Sequence, residues 1–351
     1  MSTAWRRLED MASTGQDCEE KPRNEKRKRK EEREEKTQKR RRGAEESGLE
    51  DEEPAAPRPY PISRYNVHQV LGRGAFGKVV LASVPGRNIK MAVKIIDKKR
   101  NEEETIIRER QILLAAQDCP FICQLYAAQQ SEERAYLIME YLPGGSLEAL
   151  VEMCGCLNIG NVRFYTAEMI CGLQFLHGLN IVHEDLKPDN VMLDADGHIR
   201  IIDLGMAREG SNTAEDWWCL GFVMARMAGP QPQDDFSYFY FQQKTTDKPT
   251  SPTRADAEEK QLAQDLIWKL MCSDPEKRLD VARNIRGHPF FSIIGWEELE
   301  NRRVRPPWKP YEAELQTPHL QWPEDTEPLH PMPAYNYMSP RWARWMRRSR
   351  L

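Results

Sequence analysis

Apolar residues are sparse over the first sixty positions and then, from Tyr65 onward, settle into two successive rhythms. The stretches YNVHQVLG, GKVVLASV and KMAVKIID cluster or alternate β-branched residues, which predicts the strands of a small sheet. In NEEETIIRERQILLAA, residues Ile106, Ile107, Arg110, Leu113 and Leu114 recur at helical spacing behind acidic residues suited to a helix's first turn. After YLIMEYLPGG the pattern is helical through LEALVEMCG and NVRFYTAEMICGLQFLHGLN. It breaks for a short strand-like stretch and is helical again to HPFF at 288–291. The chain therefore reads as α+β: a small β-rich lobe over 65–142 and a larger α-helical lobe over 143–291, in one two-lobed domain. Residues 292–351, rich in Pro and Trp with little periodicity, predict a tail that wraps the domain or stays solvated.

Charge changes the picture at the N-terminus. Residues 1–60 carry the run KPRNEKRKRKEEREEKTQKRRR and the Pro-rich EPAAPRPYP. Such a composition buries too little apolar surface to offset its ordering entropy, so a disordered segment or a lone solvated helix is expected. Two basic clusters, KRKRK at 26–30 and KRRR at 39–42, fit a bipartite nuclear-localisation signal, which implies a nuclear import receptor as partner. They fit a charged helix laced with i,i+4 pairs equally well. The net charge of −4 gives no global bias toward nucleic acid or membrane, and the basic ends, the Trp-rich RWARWMRRSR included, read as solvated. With no apolar run long enough to span a bilayer and no signal-peptide core, an intracellular location, cytoplasm or nucleus, is expected. The eight scattered cysteines lack the paired spacing of zinc modules, so free thiols and no zinc are expected.

The candidate chemistry sits between these ends. GRGAFGKV, from Gly72 to Val79, is a glycine-rich turn between two strands, where the backbone can approach phosphates closely. In MAVK, Lys94 is placed to reach two phosphates, and Glu109 on the following helix is placed to pair with it. In HEDLKPDNVML and the following DLG, Asp185 can accept the proton of a substrate hydroxyl and Lys187 can neutralise a transferring phosphoryl group. Asn190 and Asp203 can hold magnesium against a nucleotide.

In this order, GRGAFGKV, AVK, HEDLKPDN and DLG resemble the eukaryotic protein kinase family over residues 65–291. IMEYLPGGSL, LDADGHIRIIDLGMA and DWW are similar to its AGC group and, within it, to protein kinase C. The resemblance implies ATP and Mg2+ as cofactors and serine/threonine protein phosphorylation as the activity. It implies a nucleotide site from Gly72, Arg73, Gly74, Ala75, Phe76, Gly77, Val79, Ala92, Lys94, Met139, Glu140, Leu142 and Met192. It also implies a hydrophobic stack through Leu113, Leu125, His183 and Leu204, anchored by Asp216. In the tail, YNYMSP resembles a degraded AGC hydrophobic motif with Ser339 as phosphate acceptor, the solvated tail being the alternative.

The chain departs from that pattern in several places. Asp203 and Asp216 are only thirteen residues apart, which leaves too little chain for an activation loop and a peptide-docking shelf. Glu184 replaces the arginine that clasps a loop phosphate, and Arg278 loses its usual glutamate. Activity is expected to be impaired, with a nucleotide-binding pseudokinase scaffold as the alternative. Asp189 and Glu184 beside the cleft predict protein substrates with basic flanking residues.

Overall fold

The computed structural model describes residues 61–74, 77–87, 89–229, 254–310, 320–323, 332 and 334–348. The N-terminal segment 1–60 with both basic clusters, and Ala75 and Phe76 of the glycine-rich turn, lie outside them.

The first rhythm gives five strands and a helix: β1 (Asn66–Gly74), β2 (Gly77–Ser83), β3 (Lys90–Asp97), helix α1 (Glu103–Ala115), β4 (Leu125–Gln130) and β5 (Arg134–Glu140). All pair antiparallel, in the order β1-β2-β3-β5-β4. Period-two alternation then divides the sheet into two faces. Val80, Ala82, Met91, Val93, Ile95 and Ile138 pack into one apolar cluster on one side. Val79, Ala92, Lys94 and Met139 fall on the other, where β2–β3 pairing sets Val79 opposite Lys94 and β3–β5 pairing sets Ala92 opposite Met139.

In α1 the buried residues are Ile106, Glu109, Ile112 and Leu113, whereas Ile107, Arg110 and Leu114 are only half-buried. The inward face is therefore rotated from the one the apolar spacing suggests, because a carboxylate, Glu109, is drawn inside by a lysine.

The large lobe follows with α2 (Leu147–Cys154), α3 (Ile159–Gly178), β6 (Ile181–Val182), the hairpin β7 (Val191–Leu193) and β8 (Ile199–Ile201), β9 (Arg208–Glu209), α4 (Ala214–Ala228), α5 (Arg254–Leu270), α6 (Pro275–Arg283) and α7 (Trp296–Glu300). Helix α3 starts where Asn158 accepts the backbone N–H of Asn161 at 2.9 Å, and it is buried on nearly every face. Helices of that kind form the centre of a domain. The expected two-lobed α+β fold is what the chain adopts.

Of the two readings of the tail, the wrapping one holds, and it docks through elements that its weak periodicity did not report. β10 (Tyr337–Met338) adds a sixth strand beside β4, pairing Tyr337 with Ala128 and Met338 with Ala127. Helix α8 (Pro340–Arg348) then lays Trp342 onto the apolar face of the sheet, stacked on Tyr126 at 4.6 Å between ring centroids. Ser339 is not a free hydroxyl: it is 4% exposed, its backbone N–H donates to Tyr126 O, and its Oγ accepts the N–H of Trp342, capping α8. A buried cap cannot present itself to a modifying enzyme, so the reading of Ser339 as phosphate acceptor is corrected. Arg110 of α1 lies over the rings of Tyr335 and Tyr337, which ties the tail to that helix. Among the described residues no helix is long and apolar enough to cross a membrane.

Candidate active site

Strand β3 delivers Lys94 into the cleft, where its Nζ lies 2.6 Å from Glu109 Oε1 and 2.8 Å from Asp203 Oδ1. Burial works against the ammonium charge, but the two carboxylates outweigh it and raise the lysine's pKa above its ordinary value. At Asp203 burial likewise opposes ionisation, yet Lys94 and the backbone N–H of Gly205 hold the carboxyl below the usual aspartate range. Lys94 and Asp203 are thus held in their charged states, whereas burial pushes the Glu109 carboxyl above its ordinary range against the pull of Lys94. Asp203 occupies the left-handed region at φ 56°, a conformation that costs a non-glycine residue energy and is held by its surroundings.

Between β6 and β7 the catalytic candidates converge. Asn190 Nδ2 donates to both the backbone carbonyl and Oδ2 of Asp185, each at 2.8 Å, and Lys187 Nζ lies 2.7 Å from the same Oδ2. The hydrogen bond from Lys187 to Asp185 raises the lysine's pKa. Asp185 keeps a third of its side chain exposed, as a base open to a substrate must.

Beneath this loop, Asp216 in the first turn of α4 is fully buried. Its carboxylate accepts the backbone N–H groups of His183 and Glu184 at 2.9 Å each and meets His177 Nε2 at 2.7 Å. Burial opposes its charge, but these donors hold it below the usual range. His183, also fully buried, is kept neutral by desolvation and sits 3.2 Å from the carbonyl of Ile202. Leu113, Leu125 and Leu204, the other members of the expected stack, are all buried.

The nucleotide candidates split by burial. Leu142 is buried, while Val79, Ala92, Met139, Glu140 and Met192 are half-buried along the cleft. Glu140 accepts the N–H of Gln124 at 2.8 Å and faces Arg200 at 3.3 Å. The glycines differ in kind. A Cβ on Gly77, at φ 147°, would stand 2.0 Å from the carbonyl oxygen of Ile95, so β3 itself demands glycine there. A Cβ on Gly72 or Gly74 would meet nothing within 4 Å, and Arg73 between them is exposed. The protein makes no use of that empty space, which fits a cradle for a phosphate chain.

Four residues, 210–213, connect β9 to α4. β9 pairs with β6, Gly210 N–H donates to Asn180 O at 2.9 Å, and the helix begins. The docking shelf has no chain from which to form, yet the floor beneath the catalytic loop is intact because Asp216 lies beyond the shortened stretch. Two partners went unforeseen in the sequence. Glu184, strained at φ 64°, pairs with Arg208 of β9 at 2.5 Å, a partnership created by β6 pairing with β9. Arg278 is not orphaned: it donates to Ala214 O at 3.0 Å and Cys272 O at 2.6 Å and faces Glu215 at 3.6 Å.

The protein kinase domain family matches residues 65–215. Among curated proteins, the chain is 37% identical over 281 residues to protein kinase C delta type of Rattus norvegicus. That match covers 71% of this chain and 41% of the relative. It is 35% identical over 281 residues to protein kinase C delta type of Homo sapiens, with the same coverage. To the serine/threonine-protein kinase Sgk1 of Homo sapiens it is 32% identical over 285 residues, covering 71% of this chain and 65% of the relative. The chain thus spans well under half the length of the protein kinase C relatives.

Proposed function

The chain carries a protein kinase catalytic domain of the AGC type, and on that premise we propose that it transfers the γ-phosphate of ATP to serine and threonine hydroxyls of proteins. The observation that carries this reading is the joined set Glu109–Lys94–Asp203 and Lys187–Asp185–Asn190, every polar group of which is held by another. Lys94 would hold the ATP phosphates, with Glu109 fixing its ammonium, while the open backbone at Gly72 and Gly74 closes over the phosphate chain. Val79, Ala92, Met139, Leu142 and Met192 would bracket the base. Asn190 and Asp203 offer the oxygen donors that Mg2+ prefers. When bound, that ion neutralises charge on the phosphates. Asp185 takes the proton from the attacking hydroxyl, and Lys187 beside it offsets charge gathering on the transferred group.

Position, not charge, is the weak side of this machinery. Orienting a hydroxyl can supply roughly 7–11 kcal/mol of barrier lowering, and a chain lacking the shelf forgoes part of it. Transfer to a peptide is therefore slower than with a longer segment. It needs no phosphate on the activation segment, because Glu184 is already neutralised by Arg208. That pairing also removes Glu184 from the expected contacts with substrate. A preference for basic flanking residues then rests on the exposed Asp189.

Thermal unfolding with millimolar Mg-ATP tests the nucleotide half of the reading. The midpoint rises for the native chain, and Lys94→Met and Asp203→Asn lose most of the rise while staying folded. A folded native chain with no rise would sink it.

A further inference from the structure

Away from the cleft, the turn between β7 and β8 and the chain just after α7 enclose a cavity of about 600 Å³ that the phosphotransfer reading does not use. Arg302, Arg303, Arg305, Lys309 and His198 line it, against the single carboxylate of Asp196. We infer that this groove binds a small, multiply phosphorylated ligand.

The walls are set before any ligand arrives. Gly197, at φ 97°, lets the carbonyl of Trp308 come so close that a Cβ would stand 1.9 Å from it, which locks the tail against the turn. Arg302 is held in the left-handed region at φ 55°, and its guanidinium is bound by Asp194, whose other oxygen accepts the N–H groups of Asp196, Gly197 and His198. Pro306 and Pro307 stiffen the next stretch. His198, also in the wall, is 4% exposed and is fixed by Glu168, which holds its Nδ1 at 2.5 Å.

The charges favour an anion. Arg305 has no ion-pair partner among the described residues and is exposed. Arg303 meets Glu298 at 3.1 Å and Lys309 meets Asp196 at 3.8 Å, but all four side chains are more than half exposed. Such surface pairs contribute about 0–1 kcal/mol and yield readily to a phosphate that takes bidentate bonds from guanidinium groups. A cavity of this volume exceeds one phosphate and lies within the range of small-ligand sites.

The test is calorimetric titration of the full chain with inositol trisphosphate in saturating Mg-ADP, so that the nucleotide site is filled. A single site is expected, weakened about tenfold or more by the joint Arg303→Ala, Arg305→Ala and Lys309→Ala variant, since charge-assisted hydrogen bonds of this kind exceed the energy of a factor of ten. Arg305→Glu, at an exposed side chain without an ion pair among the described residues, must weaken it too while leaving the unfolding midpoint of the chain unchanged. Vesicles of phosphatidylcholine with and without phosphatidylinositol bisphosphate separate a lipid headgroup from a free ligand as the source. Absence of binding overturns the inference. So does binding that ignores these variants and falls instead when the basic residues at 26–30 and 39–42 become alanine.

Discussion

Gly77 and Gly74 belong to one motif but answer to different constraints. At Gly77 the conflict is internal, with the Ile95 carbonyl in the space that a Cβ needs and a backbone angle that other residues resist. Gly77→Ala should cost about 1–3 kcal/mol of stability. Gly74→Ala should leave the unfolding midpoint unchanged while weakening Mg-ATP binding, because only a ligand would feel its methyl group. Paired melts with and without nucleotide separate the two. Asp216 is the other residue on which much depends. Asp216→Ala strands two buried backbone donors and should cost about 2–5 kcal/mol, read by denaturant unfolding. His183 adds a pH dependence. Its folded pKa is depressed, so below about pH 6.5 the unfolded chain binds more protons than the folded one. Its contribution is complete above that pH and is lost as the pH falls toward the folded value, while that of Asp216, whose folded pKa is also depressed, is lost only below about pH 3.8. A midpoint that rises on acidification from neutrality would contradict this sign.

Among the elements, the tail differs most from its reading in the sequence. The motif residues were legible because the proposed chemistry restricts them: a base, a lysine to hold phosphates and oxygens to hold a metal would tolerate few residue types, at spacings that the fold enforces. YNYMSP has no such restriction. Its strand is specified by an exposed edge on β4 two hundred residues earlier, and α8 by the apolar face it covers, neither of which local periodicity reports. The same blindness hid Arg208, whose meeting with Glu184 follows from β6–β9 pairing. Trp342→Ala, which removes the ring stacked on Tyr126 and opens the small-lobe core, should destabilise by about 3–5 kcal/mol in equilibrium unfolding. An unchanged midpoint would mean that the tail does not dock.

For the molecule as a whole, the contacts that would assemble the proposed phosphotransfer chemistry are separate from those that would present a peptide. The first set spans both lobes, from Lys94 through Asp203 and Asp185 to Asp216, and is intact. The second is cut to the four residues between β9 and α4. Radiolabel transfer from ATP to a basic serine peptide decides what remains, comparing the unphosphorylated chain, its Asp185→Asn variant and a version with a full-length activation segment inserted between Arg208 and Asn212. The account predicts weak transfer by the native chain that is lost in Asp185→Asn, unaffected by phosphatase treatment and strongly raised by the insertion. A native chain that binds Mg-ATP yet transfers no more than Asp185→Asn would contradict it and leave a nucleotide-binding scaffold in its place.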